Sequence, residues 1–335
     1  MKKVTMQDIA DRLGLTKVSV SKALNGQPDI SAETRARIIE TAIEMGYQIK
    51  QHEAKKTQAK NFAMIVPKRF FLETDGFYTE LFYYLNRFCM QDGHQLYSIV
   101  LNAKEESELV LPDKLRETLF DGVFLMGELH EDYLRMLAAH SLNMVAIDFY
   151  RKGLRSDYVL TDNYYLGYSA AQYLLDKGHT RIGFVGDVYQ TNSIMDRYLG
   201  YVKALLLAGI QPRTDWHLVN NDELGVYRVD VALPRELPTA FVCHCDMAGQ
   251  YMIQTLRSRG LRVPDEVSLI CFDNTHLSER TVPPLTTYHI DRKEFAERAY
   301  RCMLDQCKEA RTEEKRIFIS GSLIERESVG DVRGR

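Results

Sequence analysis

LTKVSVSKALNG, residues Leu15 to Gly26, carries two periods at once. Val18-Ser19-Val20-Ser21 alternates apolar and polar, as a half-buried strand does. Val20, Ala23 and Leu24 stand at i, i+3 and i+4, which is one face of a helix. The flanks decide between them. Thr16 can cap a helix that runs to about Asn25, with Gly26 after it and Pro28 in the following loop. Upstream, Thr5 can cap a first helix, with Asp8 as the carboxylate of a capping box, Ile9, Ala10 and Leu13 as its apolar stripe, and Gly14 as its end. Downstream, Ser31 can cap a third helix, with Ile38, Ile39, Ala42 and Ile43 as its buried side and Gly46 as its stop. Two helices joined by a turn of about four residues, then a supporting helix, is the helix-turn-helix plan. The helical period therefore wins. Val20, Ala23 and Leu24 are expected to pack on the first and third helices, and Lys17, Val18, Ser21 and Lys22 to face outward.

The chain has 335 residues, room for two or three domains, and at 45% hydrophobic and 27% charged its composition is that of a globular protein. No apolar run approaches the ~20 residues needed to cross a bilayer. Nor does an apolar stretch follow Lys2 and Lys3, so no export signal is read and a cytoplasmic location is expected. The six cysteines are scattered, which suits reduced thiols filling a core. Cys243-His244-Cys245 lacks a second pair at ligand spacing. It reads as the end of a buried strand, and no metal or cofactor is expected.

Charge is unevenly spread. Residues 1 to 60 hold eleven lysines and arginines against seven acids, a net +4; with −3 overall, the remaining 275 residues carry −7. A basic N-terminal module on an acidic body suits a polyanionic partner for the module alone. Residues 48 to 60 are polar and lack Gly and Pro, a linker able to become helical only with support.

From residue 62 apolar runs alternate with amphipathic stretches. Strands are expected at Phe62 to Pro67, Gln95 to Leu101, Gly122 to Met126, Met144 to Asp148, Arg181 to Gly186, Ala240 to Cys243, Val267 to Phe272 and Thr286 to Ile290. Helices are expected at Tyr164 to Lys177, Ser193 to Ala208 and Ala248 to Arg259. This alternation predicts parallel sheets with helices on both faces, in two α/β lobes with a cleft between them. Ligands of such sheets gather at the carboxyl ends of the strands. Asp148, Asp162, Asp246 and Asp273 each follow an apolar run there. An acid in that place suits the vicinal hydroxyls of a sugar, or equally a helix N-cap.

These motifs in this order resemble the lactose/galactose repressor (LacI/GalR) family of bacterial transcription regulators. The matching stretches are "DIA", a Val-Ser-x-x-Leu-Asn segment, "SAETRARI" and "GY" in the N-terminal module. In the body they are "YVLTDNYYLGYSAAQYLLDKGHTRIGFVGD", Arg197 before "GYVKAL", "VPDEVSLICFDN", "PPLTTYHID" and "LIERES". The resemblance covers almost the whole chain. It implies a small all-α helix-turn-helix domain (1–47), a hinge (48–60), and a two-lobed, periplasmic-binding-protein-like effector-binding and dimerisation domain (61–335). Lobe one takes about 61–160 plus 290–320, and lobe two about 161–289 plus 321–330.

In that family the second helix lies in the major groove. The resemblance implies base or phosphate contacts at Lys17, Val18, Ser21 and Lys22. The residue types agree: lysine can donate to guanine or pair a phosphate, and Val18 offers a methyl contact to thymine. Hydroxyls of Thr5, Thr16, Ser19 and Ser31 suit phosphates, and Asn25 suits bracing of the turn. Bland readings stand beside these: Ser19 as a structural N3 hydroxyl, and Thr34 and Arg35 as a solvated face. The hinge departs from the pattern. Relatives usually carry Ala-Arg-x-Leu, whose Leu wedges into the minor groove; here the match is Ala54-Lys55-Lys56-Thr57, with no apolar residue nearby. A wedge is what kinks a base step, so weak central kinking is expected, with Lys55 and Lys56 serving phosphates.

For the cleft, the resemblance implies effector contacts at Asp75, Phe77, Tyr78, Asp162, Arg197, Cys245 and Asp273. Aromatic rings can stack on a sugar face, Arg197 offers a planar fork, and Asp273 accepts from hydroxyls. Phe77 as core and Arg197 as an ion pair are the plain alternatives. Cys245 stands where relatives often have Asn.

The resemblance implies a homodimeric regulator, a repressor of carbohydrate-utilisation genes, binding double-stranded operator DNA. A sugar, sugar acid or sugar phosphate between the lobes controls it. The end "LIERESVGDVRGR" has no leucine-repeat tail, so a dimer is expected, not a tail-made tetramer. A sugar-binding protein of transport or sensing would share the body but not residues 1 to 47. An enzyme would need a phosphate loop or dinucleotide fingerprint, and neither G-x-x-x-x-G-K-[ST] nor G-x-G-x-x-G occurs.

Overall fold

A computed structural model describes residues 4–24, 30–45, 47, 59–71, 76–140, 142–221, 227–228, 230–308 and 313–333, with only the backbone of Ala32 and Ile43. Asn25, Lys55, Lys56 and Asp75, the hinge match and the Gly26 and Gly46 stops lie outside these residues. The chain forms two compact units, 1–59 and 60–335.

Among its described residues the first unit holds three helices: α1 (Met6–Leu13), α2 (Lys17–Leu24) and α3 (Ala32–Glu44). Thr5 and Asp8 form the capping box of α1. The Asp8 amide donates to the Thr5 hydroxyl, and the Thr5 amide to Asp8 Oδ2 at 2.7 Å. Gly14 closes α1 at φ +66°, a left-handed conformation that costs an L side chain energy. Ile9 and Ala10 of α1, Val20 and Ala23 of α2, and Ile38 and Ala42 of α3 make one buried cluster. Leu13 and Leu24 pack at its edge. Burial of a residue such as Ile9 or Ile38 contributes ~1.5–3 kcal/mol, enough for a handful to hold three short helices. Ile39, read as part of the buried side, is instead 37% exposed. Ile38 and Ala42, four apart, already fill the contact, and Ile39 sits about 100° round the helix from Ile38.

The second unit begins with β1 (Asn61–Pro67), α4 (Gly76–Gln91), β2 (Gln95–Leu101), α5 (Ala103–Ser107), α6 (Asp113–Glu117), β3 (Gly122–Met126), α7 (Glu131–Ala138), β4 (Met144–Ile147) and β5 (Asp157–Thr161). It continues with α8 (Asn163–Asp176), β6 (Ile182–Val185), α9 (Asn192–Leu207), β7 (His217–Leu218), β8 (Ala240–Cys243), α10 (Asp246–Ser258), β9 (Ser268–Asp273), α11 (His276–Arg280) and β10 (Thr286–Ile290). It closes with α12 (Arg292–Lys308), β11 (Arg316–Ile319) and β12 (Gly321–Ile324).

These strands make two six-stranded sheets, β2-β1-β3-β4-β5-β11 and β7-β6-β8-β9-β10-β12. All pairings are parallel except β10 with β12, where Thr287 faces Ile324. Each sheet is the centre of one lobe. The chain crosses between lobes three times: from β5 into α8, from β10 into α12, and from β11 into β12. Buried strands such as Phe62–Val66 and Val123–Met126 are apolar on both faces, as a covered parallel sheet requires.

All eight anticipated strands form, with ends shifted by a residue at most. Four strands were not anticipated: β5, β7, β11 and β12. β11 and β12 are edge strands rich in polar or exposed residues, with Phe318 58% exposed, and β7 has two residues. Among the described residues no helix is long and apolar enough to cross a membrane.

Candidate functional site

On α2 the apolar face is consumed by packing, and the opposite face is left outward. Lys17 is exposed, and Val18 is 63% exposed although it is apolar. Ser19, Ser21 and Lys22 are half-buried. Thr16 caps the helix: the Ser19 amide donates to its hydroxyl at 3.1 Å, and the two hydroxyls lie 2.9 Å apart. Ser31 caps α3 in the same manner, accepting from the Thr34 amide at 3.2 Å. The four hydroxyls proposed for phosphates (Thr5, Thr16, Ser19 and Ser31) thus all serve helix starts in the free protein. That does not conflict with DNA contact, because a helix N-terminus is itself a phosphate site.

In the second unit the carboxyl ends of both sheets border one cavity between the lobes. From lobe one it is lined by Arg69, Phe70, Phe77, Tyr78 and Asp148; from lobe two by Gln190, Thr191, Ser193, Ile194, Arg197, Tyr227, His244, Cys245 and Asp273. Five of the seven expected effector residues therefore meet here: Phe77, Tyr78, Arg197, Cys245 and Asp273. Asp75 is outside the described residues. Asp162 does not line the cavity. It is the N-cap of α8, accepting from the Tyr165 amide at 3.3 Å.

Arg197 is the centre of this site. It lies on the buried face of α9, which crosses α8 at very close range. A Cβ on Gly200 would fall 2.0 Å from the Tyr164 carbonyl oxygen, and one on Gly167 2.0 Å from that of Arg197. Only glycine allows that approach. The guanidinium donates to Asn163 Oδ1 at 2.7 Å, to Asp273 Oδ1 at 3.1 Å and to the His244 carbonyl, and lies 4.6 Å over the Phe272 ring. Burial works against its charge, but Asp273 and Asp148 more than offset this, and its pKa is raised.

Asp148 and Asp273 both hold positive φ, 67° and 96°. Such backbone costs ~1–3 kcal/mol each for residues of this kind and clusters at working sites. Asp148 accepts from the Tyr78 hydroxyl at 2.8 Å, while its other oxygen, Oδ1, is buried with no hydrogen-bond partner among the described residues. Burial pushes its pKa up to about 7, with Arg197 and Tyr78 pulling the other way.

His244 is fixed by its neighbours. Its Nδ1 reaches the Val185 carbonyl at 3.2 Å and so carries the proton. Nε2 is then the acceptor for the Tyr227 hydroxyl at 3.2 Å. Burial, then Arg197, lowers its pKa to about 4, so it is neutral at pH 7. The Tyr227 hydroxyl also lies 3.3 Å from Cys245 Sγ, which caps α10. Asp246, the other acid at a strand end, is structural: Thr275 and Thr287 donate to it, tying β9 to β10.

Sequence reasoning reached Asp148 as an acid ending an apolar run but did not carry it into the site. It missed Arg69, Tyr227 and His244. No local signal marks Tyr227, which is brought beside the β8 end by a long connection.

Comparisons with known proteins match both parts of the chain. Residues 5–49 match the model described as "Bacterial regulatory proteins, lacI family", and residues 171–329 match the periplasmic binding protein-like domain. The HTH-type transcriptional repressor PurR of Vibrio campbellii is 27% identical over 321 residues, covering 94% of this chain and 95% of its own. Two solved structures share the fold along the chain. The transcriptional regulator CelR-cellobiose complex has a TM-score of 0.68 at 22% identity, covering 97% of this chain and all of its own. The lac repressor dimer bound to operator and the anti-inducer ONPF has a TM-score of 0.66 at 17% identity, covering 98% and 100%. With a helix-turn-helix module at one end and an inter-lobe cavity in the body, the chain belongs to the lacI family of bacterial regulatory proteins and is a DNA-binding transcriptional repressor with a ligand-binding domain.

Proposed function

We propose that this protein represses carbohydrate-utilisation genes as a homodimer on a roughly palindromic operator, under control of a sugar or sugar derivative held between its lobes. At the DNA, Lys17, Val18, Ser21 and Lys22 meet base edges or phosphates, and Thr5, Thr16, Ser19 and Ser31 hold phosphates. Asn25 braces the turn, and Lys55 and Lys56 serve the backbone without a wedge. The exposed Val18 supports this reading, since an apolar side chain on the outer face of α2 has no packing role.

In the cleft, Asp148 joins Phe77, Tyr78, Arg197, Cys245 and Asp273 as the proposed contact set, and Asp75 keeps the contact role that the family resemblance implies, while Asp162 serves as the cap of α8. The observation that carries the ligand class is Asp148 Oδ1. A buried carboxylate oxygen without a donor is costly, and a ligand hydroxyl supplies that donor. Tyr78 and Tyr227 give the rings against which a sugar face packs. Ligand binding across the lobes favours one arrangement of them. The effect on DNA affinity equals the effect of DNA on ligand affinity, because the coupling is reciprocal.

Two measurements test the reading. A duplex-DNA shift assay should give affinity that falls steeply with salt; binding that ignores salt overturns the DNA assignment. A thermal-shift panel of sugars, sugar acids, sugar phosphates and nucleosides should contain a stabilising sugar. At a hundred times its Kd a ligand adds ~2.7 kcal/mol. A panel in which only a nucleoside stabilises removes the sugar reading and keeps the regulator.

A further inference from the structure

Beside the cleft, a carboxylate of lobe one is tied to the start of α9 in lobe two. Glu128 follows β3 in lobe one, and its side chain is mostly buried. Its Oε2 accepts the backbone amide of Asn192, the first residue of α9 in lobe two, at 2.6 Å. Its Oε1 accepts from Arg151 Nη2 at 2.6 Å. The neighbouring Tyr150 amide donates to Asn192 Oδ1 at 3.1 Å. α9 is sixteen residues long, and its first turn, with Thr191, Ser193 and Ile194, lines the ligand cavity. Such a helix start carries about half a positive charge and is a ready site for a phosphate or carboxylate. Here the protein's own carboxylate occupies it, and Thr191 takes the Ile194 amide at 3.2 Å.

The other cations of the cleft are also committed. Arg69 bonds Glu106 at 2.5 and 3.3 Å and the Glu128 carbonyl at 2.7 Å. Arg197 bonds Asp273, and Arg151 bonds Glu128. His244 is neutral and Asp148 adds a further acid. Among the described residues of the cleft, Arg69, Arg151 and Arg197 are thus each paired with an acid, and at the α9 start a ligand anion meets Glu128.

We propose that Glu128 is the specificity-determining residue that closes this cleft to anionic ligands, so that the effector is a neutral polyhydroxyl compound and not its phosphorylated or carboxylated derivative. This rests on the cleft being the effector site and narrows the ligand class given above.

The test uses inorganic phosphate, titrated at constant ionic strength into the full chain, with the Asn192 and Ser193 backbone amides followed by NMR. Wild type should show no saturable shift. Glu128→Ser frees the Asn192 amide and removes the nearer acid from Arg151, which keeps only Glu131 at 3.9 Å, and should gain saturable binding, roughly tenfold or more over wild type. Glu128→Gln, which keeps the shape and an acceptor for Asn192, should gain less. Saturable phosphate binding by wild type at these amides overturns the proposal. So does an absence of gain in both folded variants, or a sugar phosphate that stabilises wild type more than its parent sugar. Phosphate needs no identified effector. A panel with no binding sugar would thus count against the sugar reading alone, while the phosphate titration still decides this one.

Discussion

The two working regions of this protein are built in opposite ways. On α2 the side chains proposed for DNA lie on the outer face, and the residues that hold the helix, Val20 and Ala23, are buried in the cluster. In the cleft, structure and proposed recognition share the same atoms. Arg197 braces α8 through Asn163, clamps the end of β8 through the His244 carbonyl and pairs Asp273, yet it also lines the cavity. A surface site can be altered without disturbing the fold, whereas a buried polar site cannot.

That contrast sets the size of the expected effects. Arg197→Met should be the most damaging change. It leaves Asp273 and Asp148 without their cation, and breaking such a buried pair costs about 3–5 kcal/mol, read as a fall in the urea midpoint with loss of ligand-induced stabilisation. A normal midpoint would mean that the Arg197 network is not structural. Ile38→Ala opens a cavity in the apolar cluster that joins α1, α2 and α3. It should cost about 2–5 kcal/mol, read as loss of α-helical signal from that unit together with duplex binding.

Lys17→Ala should leave unfolding unchanged and weaken duplex binding by ~1–3 kcal/mol if Lys17 reads a guanine. If it serves a phosphate, the salt slope should instead fall by about one. Any loss of thermal stability would break the separation between the two faces of α2. Val18→Ala should cost ~1 kcal/mol of affinity, confined to operators with a thymine at the contacted position. Equal losses on all sequences would remove Val18 from base reading.

The smallest effect is one of pH. Burial holds the proton on Asp148 up to about 7 in the free cleft. A ligand hydroxyl that donates to Asp148 favours the ionised form, so affinity should rise as pH climbs through about 7 and level off above it. Asp148→Asn should flatten the profile, measured by calorimetric titration of whichever neutral sugar stabilises the wild type. A rise that survives in Asp148→Asn assigns the proton elsewhere.

Legibility in the sequence followed the same divide. The three helices of the N-terminal unit rest on neighbours three and four residues apart and on caps such as Thr5 with Asp8, so local pattern sufficed. Ile39 was misread because an apolar residue beside the stripe looks much like one within it. In the body the apolar strands were visible as runs, but the edge strands β11 and β12 were not, since their pairing with β5 and β10 is settled by neighbours far along the chain. The acids ending strands shared one appearance and took three roles. Asp148 and Asp273 border the cavity, Asp162 caps α8, and Asp246 ties β9 to β10.

By itself the sequence determined the helix-turn-helix, the alternation of strand and helix, and the outward turn of Lys17 and Val18. Each of these depends on contacts within one or two turns of chain. Only the tertiary structure decided which acids share a cavity with Arg197, that Tyr227 and His244 stand beside it, and that Glu128 fills the start of α9. Those groups lie tens of residues apart, and desolvation and charge pairing act on distance in space, not on position in the chain.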